Sequence, residues 1–317
     1  MGDPAPLISI PKAPAPDGAR AEWFFGADGV RLRAALFPPV GPARGSVVVS
    51  PGRTEPLEKY FEVARDLTAR GLVVLAHDWR GQGLSDRLTP HHLKGHAWDA
   101  DEFLSDHGAL LDTFGPRLPK PWIALGHSMG GCLALLDLAR GEARFAGAAL
   151  SAPMLAIALG PLPLPVARVV GALMSRIAPT AHAAPAYDPL KLRFETDALT
   201  HDRARFERYM AQLRAYPDLA LGAPTWGWLD FALSAGHELA SPGVLERVST
   251  PVAIVGAGAD RLVLTSVSRT AAARLPAGRY AEAPGAFHEI LMETDERRAV
   301  FWTAFDALLA EVTSPSG

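Results

Sequence analysis

The chain has 317 residues, is 49% hydrophobic and carries a formal charge of −3, which supplies one large core and leaves no electrostatic footprint for nucleic acid. Its single cysteine, Cys132, excludes an intramolecular disulfide and fits a reducing, cytoplasmic setting. Residues 1–4 show neither a basic segment nor an apolar run, so no secretory leader is expected.

Residues 1–20 are rich in Pro and Ala and predict an extended arm. The apolar runs 21–25 and 30–36 predict an antiparallel start to a sheet, and runs at 46–50, 72–76, 122–125, 146–150, 252–255 and 279–282 complete a set of eight strands. Val47-Val48-Val49 and Val73-Val74-Leu75 are continuous rather than alternating, as in strands buried on both faces. Helical patterns fall between them at 57–69 (Leu57, Tyr60, Phe61, Ala64 and Leu67 on one face), 101–114, 132–138 and 297–309. Alternation of this kind predicts an α/β architecture: a mostly parallel sheet with helices on both faces.

Residues 152–248 break the rhythm. They show a proline-punctuated apolar stretch and two amphipathic helices, 203–214 and 225–233, with no strand pattern. This segment predicts a helical cap between two parts of the core, 21–151 and 249–312, with a frayed tail over 313–317. Pro161, Pro163, Pro165 and Arg168 interrupt its most apolar window, 155–174, which excludes a regular spanning helix. That window is expected to lie against the core or to touch a membrane surface transiently.

The sharpest motif is Gly126-His127-Ser128-Met129-Gly130, between a predicted strand and a predicted helix. A serine on such a turn needs small neighbours, and the helix N-terminus favours negative charge beside it. A serine hydroxyl needs a base, and the base an orienting acid. Asp260, in Gly256-Ala257-Gly258-Ala259-Asp260, and His288, in Ala283-Pro284-Gly285-Ala286-Phe287-His288, both follow predicted strands and come in the required chain order. Ser128 is therefore the expected nucleophile, His288 the base and Asp260 its orienter; Asp230 and Glu282 are rivals for the acid. The amides of Met129 and Arg53, the latter in Ser50-Pro51-Gly52-Arg53-Thr54-Glu55, are the expected oxyanion donors. The Arg53 side chain has two readings: a prop paired with Glu55 or another acid, or a cation facing an anionic head group. Trp226, Trp228 and Leu229 of the cap are expected to line the substrate site. His91, His92 and His96 form a loop cluster with no convincing carboxylate or thiol partner for a metal. His127 is expected to pack beneath the turn, and His201 and His237 to lie at the cap surface.

Ser50-Pro51-Gly52-Arg53-Thr54-Glu55, Lys59-Tyr60, the loop from His77 to Asp86, the Gly126–Gly131 turn and Pro224-Thr225-Trp226 together resemble the bacterial lysophospholipase L2 and monoacylglycerol lipase group of α/β-hydrolases. The resemblance runs over 21–309. It implies the α/β-hydrolase fold, a carboxylic-ester or lipid substrate with an apolar acyl chain, no cofactor, and Asp78 and Arg80 as braces of the strand-end loops. Monoacylglycerol lipases usually carry His-Gly where this chain has Pro51-Gly52, which leans toward the lysophospholipase branch. An aminopeptidase, a lactonase, a carbon–carbon bond hydrolase or an acyltransferase would use the same triad, and a ligand-binding protein on this scaffold would use none of it.

Overall fold

The computed structural model describes residues 2–160 and 162–314; the expectations for 315–317 and for Pro161 lie outside the described residues. The strands are β1 (Asp3–Pro4), β2 (Arg20–Phe25), β3 (Arg31–Phe37), β4 (Gly45–Ser50), β5 (Leu72–Asp78), β6 (Trp122–His127), β7 (Gly147–Ser151), β8 (Val252–Ala257) and β9 (Gly278–Ala283). They form one sheet in the order β1-β2-β3-β5-β4-β6-β7-β8-β9. Pairing is antiparallel through β1, β2, β3 and β5 and parallel from β5 to β9. The sheet thus has nine strands rather than eight. The ninth is a two-residue piece of the arm, with Asp3 opposite Trp23 and Pro4 opposite Glu22. A strand that short, with one proline, carries no apolar alternation to read.

The eight helices of the described residues are α1 (Phe61–Thr68), α2 (Ala100–Phe114), α3 (Met129–Ala139), α4 (Leu164–Ile177), α5 (Arg203–Ala215), α6 (Trp226–Ala240), α7 (Thr265–Arg274) and α8 (Asp295–Thr313). One core joins Leu67 of α1 and Phe301, Phe305 and Leu308 of α8 to one sheet face. The other joins Phe103 and Leu110 of α2, Leu133 and Leu136 of α3 and Phe231 of α6 to the opposite face. Val47, Val48 and Val49 are all buried because each core takes alternate residues of the same strand.

Between β7 and β8 lie α4, α5 and α6, one helix more than expected. Pro165 does not break α4: it sits in the first turn, where the N–H it lacks would have had no partner. Gly171 of α4 packs against Asp230 and Leu233 of α6, and Ser175 Oγ donates to Asp230 at 2.7 Å. The outer face of α4 leaves Val169, Leu173 and Ile177 exposed, so much of this apolar stretch does not pack on the core. No helix of the described residues is long and apolar enough to cross a membrane. Helix α5 lies over the 3-10 turn Leu57–Tyr60, where Gln212 Nε2 donates to Glu58 O at 2.9 Å.

The loops after β4 and β5 are pinned by buried charge. The Arg33 side chain is fully buried, with Nη2 2.6 Å from Asp78 and 2.7 Å from Glu58. Asp78 also accepts from Leu57 N at 2.8 Å and Leu84 N at 2.9 Å, holding two loops to the end of β5. Arg80 Nε meets Asp106 at 2.6 Å and Nη1 meets Asp28 at 3.0 Å. Removing the cation would leave two buried carboxylates facing each other. Arg33→Met is expected to lower the unfolding free energy by about 3–5 kcal/mol, measured by urea denaturation; a variant as stable as the parent contradicts this account of the loops.

Candidate active site

Ser128 sits between β6 and α3 with φ 51° and ψ −116°, a conformation L-residues adopt at a cost. Tight backbone packing holds it there. A Cβ on Gly130 would lie 2.1 Å from Ser50 O, and one on Gly126 would lie 2.6 Å from the Gly131 Cα. Only hydrogen fits at either place, so strand, turn and helix close on one another and lift the serine side chain clear. Ser128 N donates to Ser151 O at 3.0 Å, and Ser128 O accepts from Cys132 N and Met154 N, which fixes the turn on three sides.

The loops after β8 and β9 bring the partners. Ala259 N donates to Ala286 O and Gly258 N to Ala283 O, both at 2.9 Å, so the two loops form one unit. From it, His288 Nε2 stands 2.8 Å from Ser128 Oγ, and His288 Nδ1 stands 2.7 Å from Asp260 Oδ2. The carboxylate can only accept, so Nδ1 carries the proton and Nε2 is free to take one from the hydroxyl. Asp260 Oδ1 is also occupied, by Leu262 N at 2.8 Å and Val263 N at 3.1 Å. Burial pushes the Asp260 pKa up, but the hydrogen bond and charge of His288 and those two amides outweigh it, and the carboxyl lies below its ordinary value. The sequence predicted these three residues, and the structure brings them into one hydrogen-bonded chain.

The loop after β4 lies directly over the serine. A Cβ on Gly52 would be 3.2 Å from the Ser128 Cβ and 2.7 Å from Glu55 Oε2. Among the described residues, neither the Arg53 amide nor the Met129 amide donates to a protein acceptor, whereas Gly52 N is held by Glu55 Oε2 at 2.7 Å and Thr54 N by Gln82 Oε1 at 2.7 Å. Two backbone donors beside the hydroxyl are thus unspent. Thr54 of this loop takes φ 67°, a positive-φ backbone like that of Ser128.

A cavity of about 480 Å³ opens over Ser128 and His288. Met154, Ile157, Leu159, Trp228, Leu229, Leu262 and Val263 give it a long apolar wall, and Tyr187 and Arg53 add polar groups. Trp228 and Leu229, two of the three cap residues singled out in the sequence, are among the residues lining this cavity. Trp226 does not line the cavity: two positions apart on a helix are on nearly opposite faces, so Trp228 turning in sends Trp226 out. The prop reading of Arg53 with Glu55 is also corrected. Arg53 Nη1 donates to Gly222 O at 2.7 Å, and its guanidinium lies 5.2 Å from the Trp228 ring. No carboxylate is in ion-pair range of Arg53 among the described residues, because Glu55 is spent on Gly52, Lys59 and Tyr60.

The other candidates fall elsewhere. Asp230 accepts from Ser175, and Glu282 pairs with Arg269 at 2.5 Å, so neither reaches His288. His127 is buried beneath the turn, with Nδ1 3.0 Å from Ser151 O, and burial pushes its pKa down to about 4. His201 Nδ1 meets Glu293 at 2.6 Å, and its ring stacks on Phe287 in the histidine loop. His96 Nδ1 meets Thr225 Oγ1 at 2.8 Å, and His92 Nε2 meets Asp218 O at 3.1 Å, which splits the histidine cluster. No group of three His, Cys, Asp or Glu side chains among the described residues is placed to hold a metal.

Residues 41–295 match the model of the Hydrolase_4 family, described as serine aminopeptidase, S33. The chain belongs to this family. It is 32% identical over 314 residues to lysophospholipase L2 of Escherichia coli strain K12, covering 93% of this chain and 88% of the relative. It is 28% identical over 281 residues to the monoacylglycerol lipase of Mycolicibacterium smegmatis, covering 86% and 91%. A soluble variant of monoglyceride lipase from Saccharomyces cerevisiae, solved with a substrate analog, superposes with a TM-score of 0.75 at 20% identity over 98% of this chain and 100% of that one. The fold is the α/β-hydrolase fold, and this chain is a hydrolase related to lysophospholipase L2 and monoacylglycerol lipase.

Burial of an ionised Asp260 links the site to acid stability. A carboxyl with a depressed folded-state pKa stabilises the fold above its unfolded value and loses that contribution as pH falls through the folded one. The stability gap between the parent and Asp260→Asn is expected to be full near neutral pH and to shrink progressively below about pH 4. Thermal unfolding at stepped pH checks this; a gap that widens toward acid contradicts it.

Proposed function

We propose that this protein hydrolyses carboxylic esters with an apolar acyl chain through an acyl-enzyme on Ser128. The observation that carries the reading is the unbroken chain from Ser128 Oγ through His288 to Asp260, opening onto a single apolar-walled cavity. As Oγ attacks the ester carbonyl, its proton passes to His288 Nε2, and the Arg53 and Met129 amides receive the developing oxyanion. Asp260 steadies the imidazolium. The proton then goes to the departing alcohol, and water repeats the sequence to release the acid. The acyl chain occupies the wall of Ile157, Leu159, Leu229 and Leu262. The segment 152–248 acts as the lid that shields this chemistry from bulk water. The kinship to lysophospholipase L2 supports a lysophospholipid substrate, and Arg53 supports it further: it is the only Lys or Arg in the cavity lining and has no acidic partner among the described residues.

The family description raises aminopeptidase activity as a second reading. An aminopeptidase must hold the substrate's α-ammonium with a free carboxylate. Glu55 and Glu289 are the only acids in the lining, and Lys59 Nζ engages both, at 2.8 Å and 2.5 Å. This disfavours amide cleavage at a free N-terminus.

Ser128→Ala is expected to remain folded and to lose about 10⁴-fold or more in kcat on p-nitrophenyl esters. Near-parental turnover in that variant refutes the mechanism, and faster turnover of aminoacyl p-nitroanilides than of esters by the parent refutes the substrate class. The head-group assignment has its own check. Arg53→Gln is expected to lower kcat/KM for a 1-acyl lysophospholipid about tenfold more than for a monoacylglycerol of equal chain length. Equal losses on the two substrates count against a head-group role.

A further inference from the structure

Lys59 is buried, and no step of the mechanism above uses it. Its Nζ lies 2.8 Å from Glu55 Oε1 and 2.5 Å from Glu289 Oε1, and sits 4.4 Å from the Tyr209 ring centroid. Each carboxylate continues into a different working loop. Glu55 Oε2 holds Gly52 N at 2.7 Å and Tyr60 OH at 2.6 Å, in the loop that lies over Ser128. Glu289 directly follows His288, and its own N–H donates to Leu199 O at 2.9 Å, in the segment that covers the site. Tyr209 of α5 adds a third link, its hydroxyl donating to Thr54 O at 2.7 Å. One ammonium therefore ties together the loop bearing the Arg53 amide, the loop bearing His288 and the covering helices.

We propose that Lys59 is a positioning residue that, through Glu55 and Glu289, holds the Arg53 amide and the His288 imidazole in register across the Ser128 hydroxyl. The assignment rests on the serine-hydrolase reading above. Its physical logic is that of a buried ion cluster. Two carboxylates brought this close repel each other unless a cation stands between them, so the ammonium sets their spacing, and with it the spacing of the loops they hold. Only the geometry of the transition state is sensitive to that register. Binding of the acyl chain depends on the apolar wall, which Lys59 does not touch.

The groups facing Glu289 are Lys59, Glu55, Tyr60 and Tyr209, with Asp197 and Arg205 of α5 lining the same small cavity and His127 and His288 on the serine side. Burial pushes the Glu289 pKa up against the pull of Lys59, while Lys59 and the hydrogen bonds of Glu55 hold that carboxyl below its ordinary value. Glu289 is thus the member of the pair that gains a proton first as pH falls. When it does, the ion pair becomes a hydrogen bond from the Lys59 ammonium to a neutral carboxyl, and the tether to the His288 loop slackens.

Lys59→Met, Lys59→Arg and Glu289→Gln are compared with the parent on p-nitrophenyl butyrate, with a boronic acid as transition-state analogue. Lys59→Met is expected to lose about 100-fold in kcat with KM within about twofold, and to lose affinity for the boronate by a factor similar to the loss in kcat. Lys59→Arg restores most of both. Glu289→Gln, which exchanges the carboxyl for an isosteric neutral group and is expected to fold even if Lys59→Met does not, mimics the protonated state. Its kcat at pH 8 falls, and the acid limb of its pH profile reports one ionisation where the parent's reports two. The proposal is overturned if Lys59→Met keeps parental kcat, if its loss lies in KM alone, if Lys59→Arg is no better than Met, or if the Glu289→Gln profile superposes on the parent's. A parent that turns over no ester overturns the serine-hydrolase reading itself, which separates the two failures.

Discussion

Ser128 can hold its positive-φ backbone only because Gly126 and Gly130 let main chain touch main chain on both sides of it. The energetic debt of that conformation, of order 1–3 kcal/mol, is met by the surrounding sheet and by the three hydrogen bonds of the turn. In return the hydroxyl stands at the end of β6, beside the N-terminus of α3, with unspent amides next to it. Everything else at the site is arranged to meet that fixed point. The loops after β8 and β9 are cross-bonded to each other, so the acid and the imidazole arrive as one piece. The loop after β4 is drawn over the serine by Glu55.

Three buried cations each stand between two carboxylates. Arg33 stands between Asp78 and Glu58, Arg80 between Asp106 and Asp28, and Lys59 between Glu55 and Glu289. Such clusters contribute little net stability against an apolar replacement, because desolvation offsets their attraction. Their value lies in direction: each fixes a loop at the C-terminal end of a strand, where the substrate cavity opens. The cavity itself is apolar along one wall. A mainly greasy wall with one guanidinium that has no carboxylate partner among the described residues suits a substrate with an acyl tail and a polar head.

Much of this was legible in the sequence, for definite reasons. Strands β4 to β8 announce themselves as apolar runs because they are buried on both faces, and the serine turn has a spacing that packing enforces. Asp260 and His288 follow from chain order along the strands. What escaped is what depends on contacts distant in the chain. Lys59 and Glu289 are 230 positions apart, and nothing local marks them as partners. Helix α7 buries only Ser268, Ala271 and Ala272, too small a stripe to show as periodicity. Arg53 was open between two roles because its neighbours Gly222 and Trp228 come from the far end of the covering segment. Trp226 and Trp228 look alike in sequence and part company only when the register of α6 is known.

The central claim is that Ser128 becomes a nucleophile because His288 is bonded to it. The most direct measurement is active-site titration with a fluorophosphonate, followed by peptide mass mapping of the adduct. The account predicts one adduct per chain, on Ser128, formed orders of magnitude more slowly when His288 is replaced by alanine. An adduct on another residue, or labelling of Ser128 at an undiminished rate without the imidazole, would contradict it.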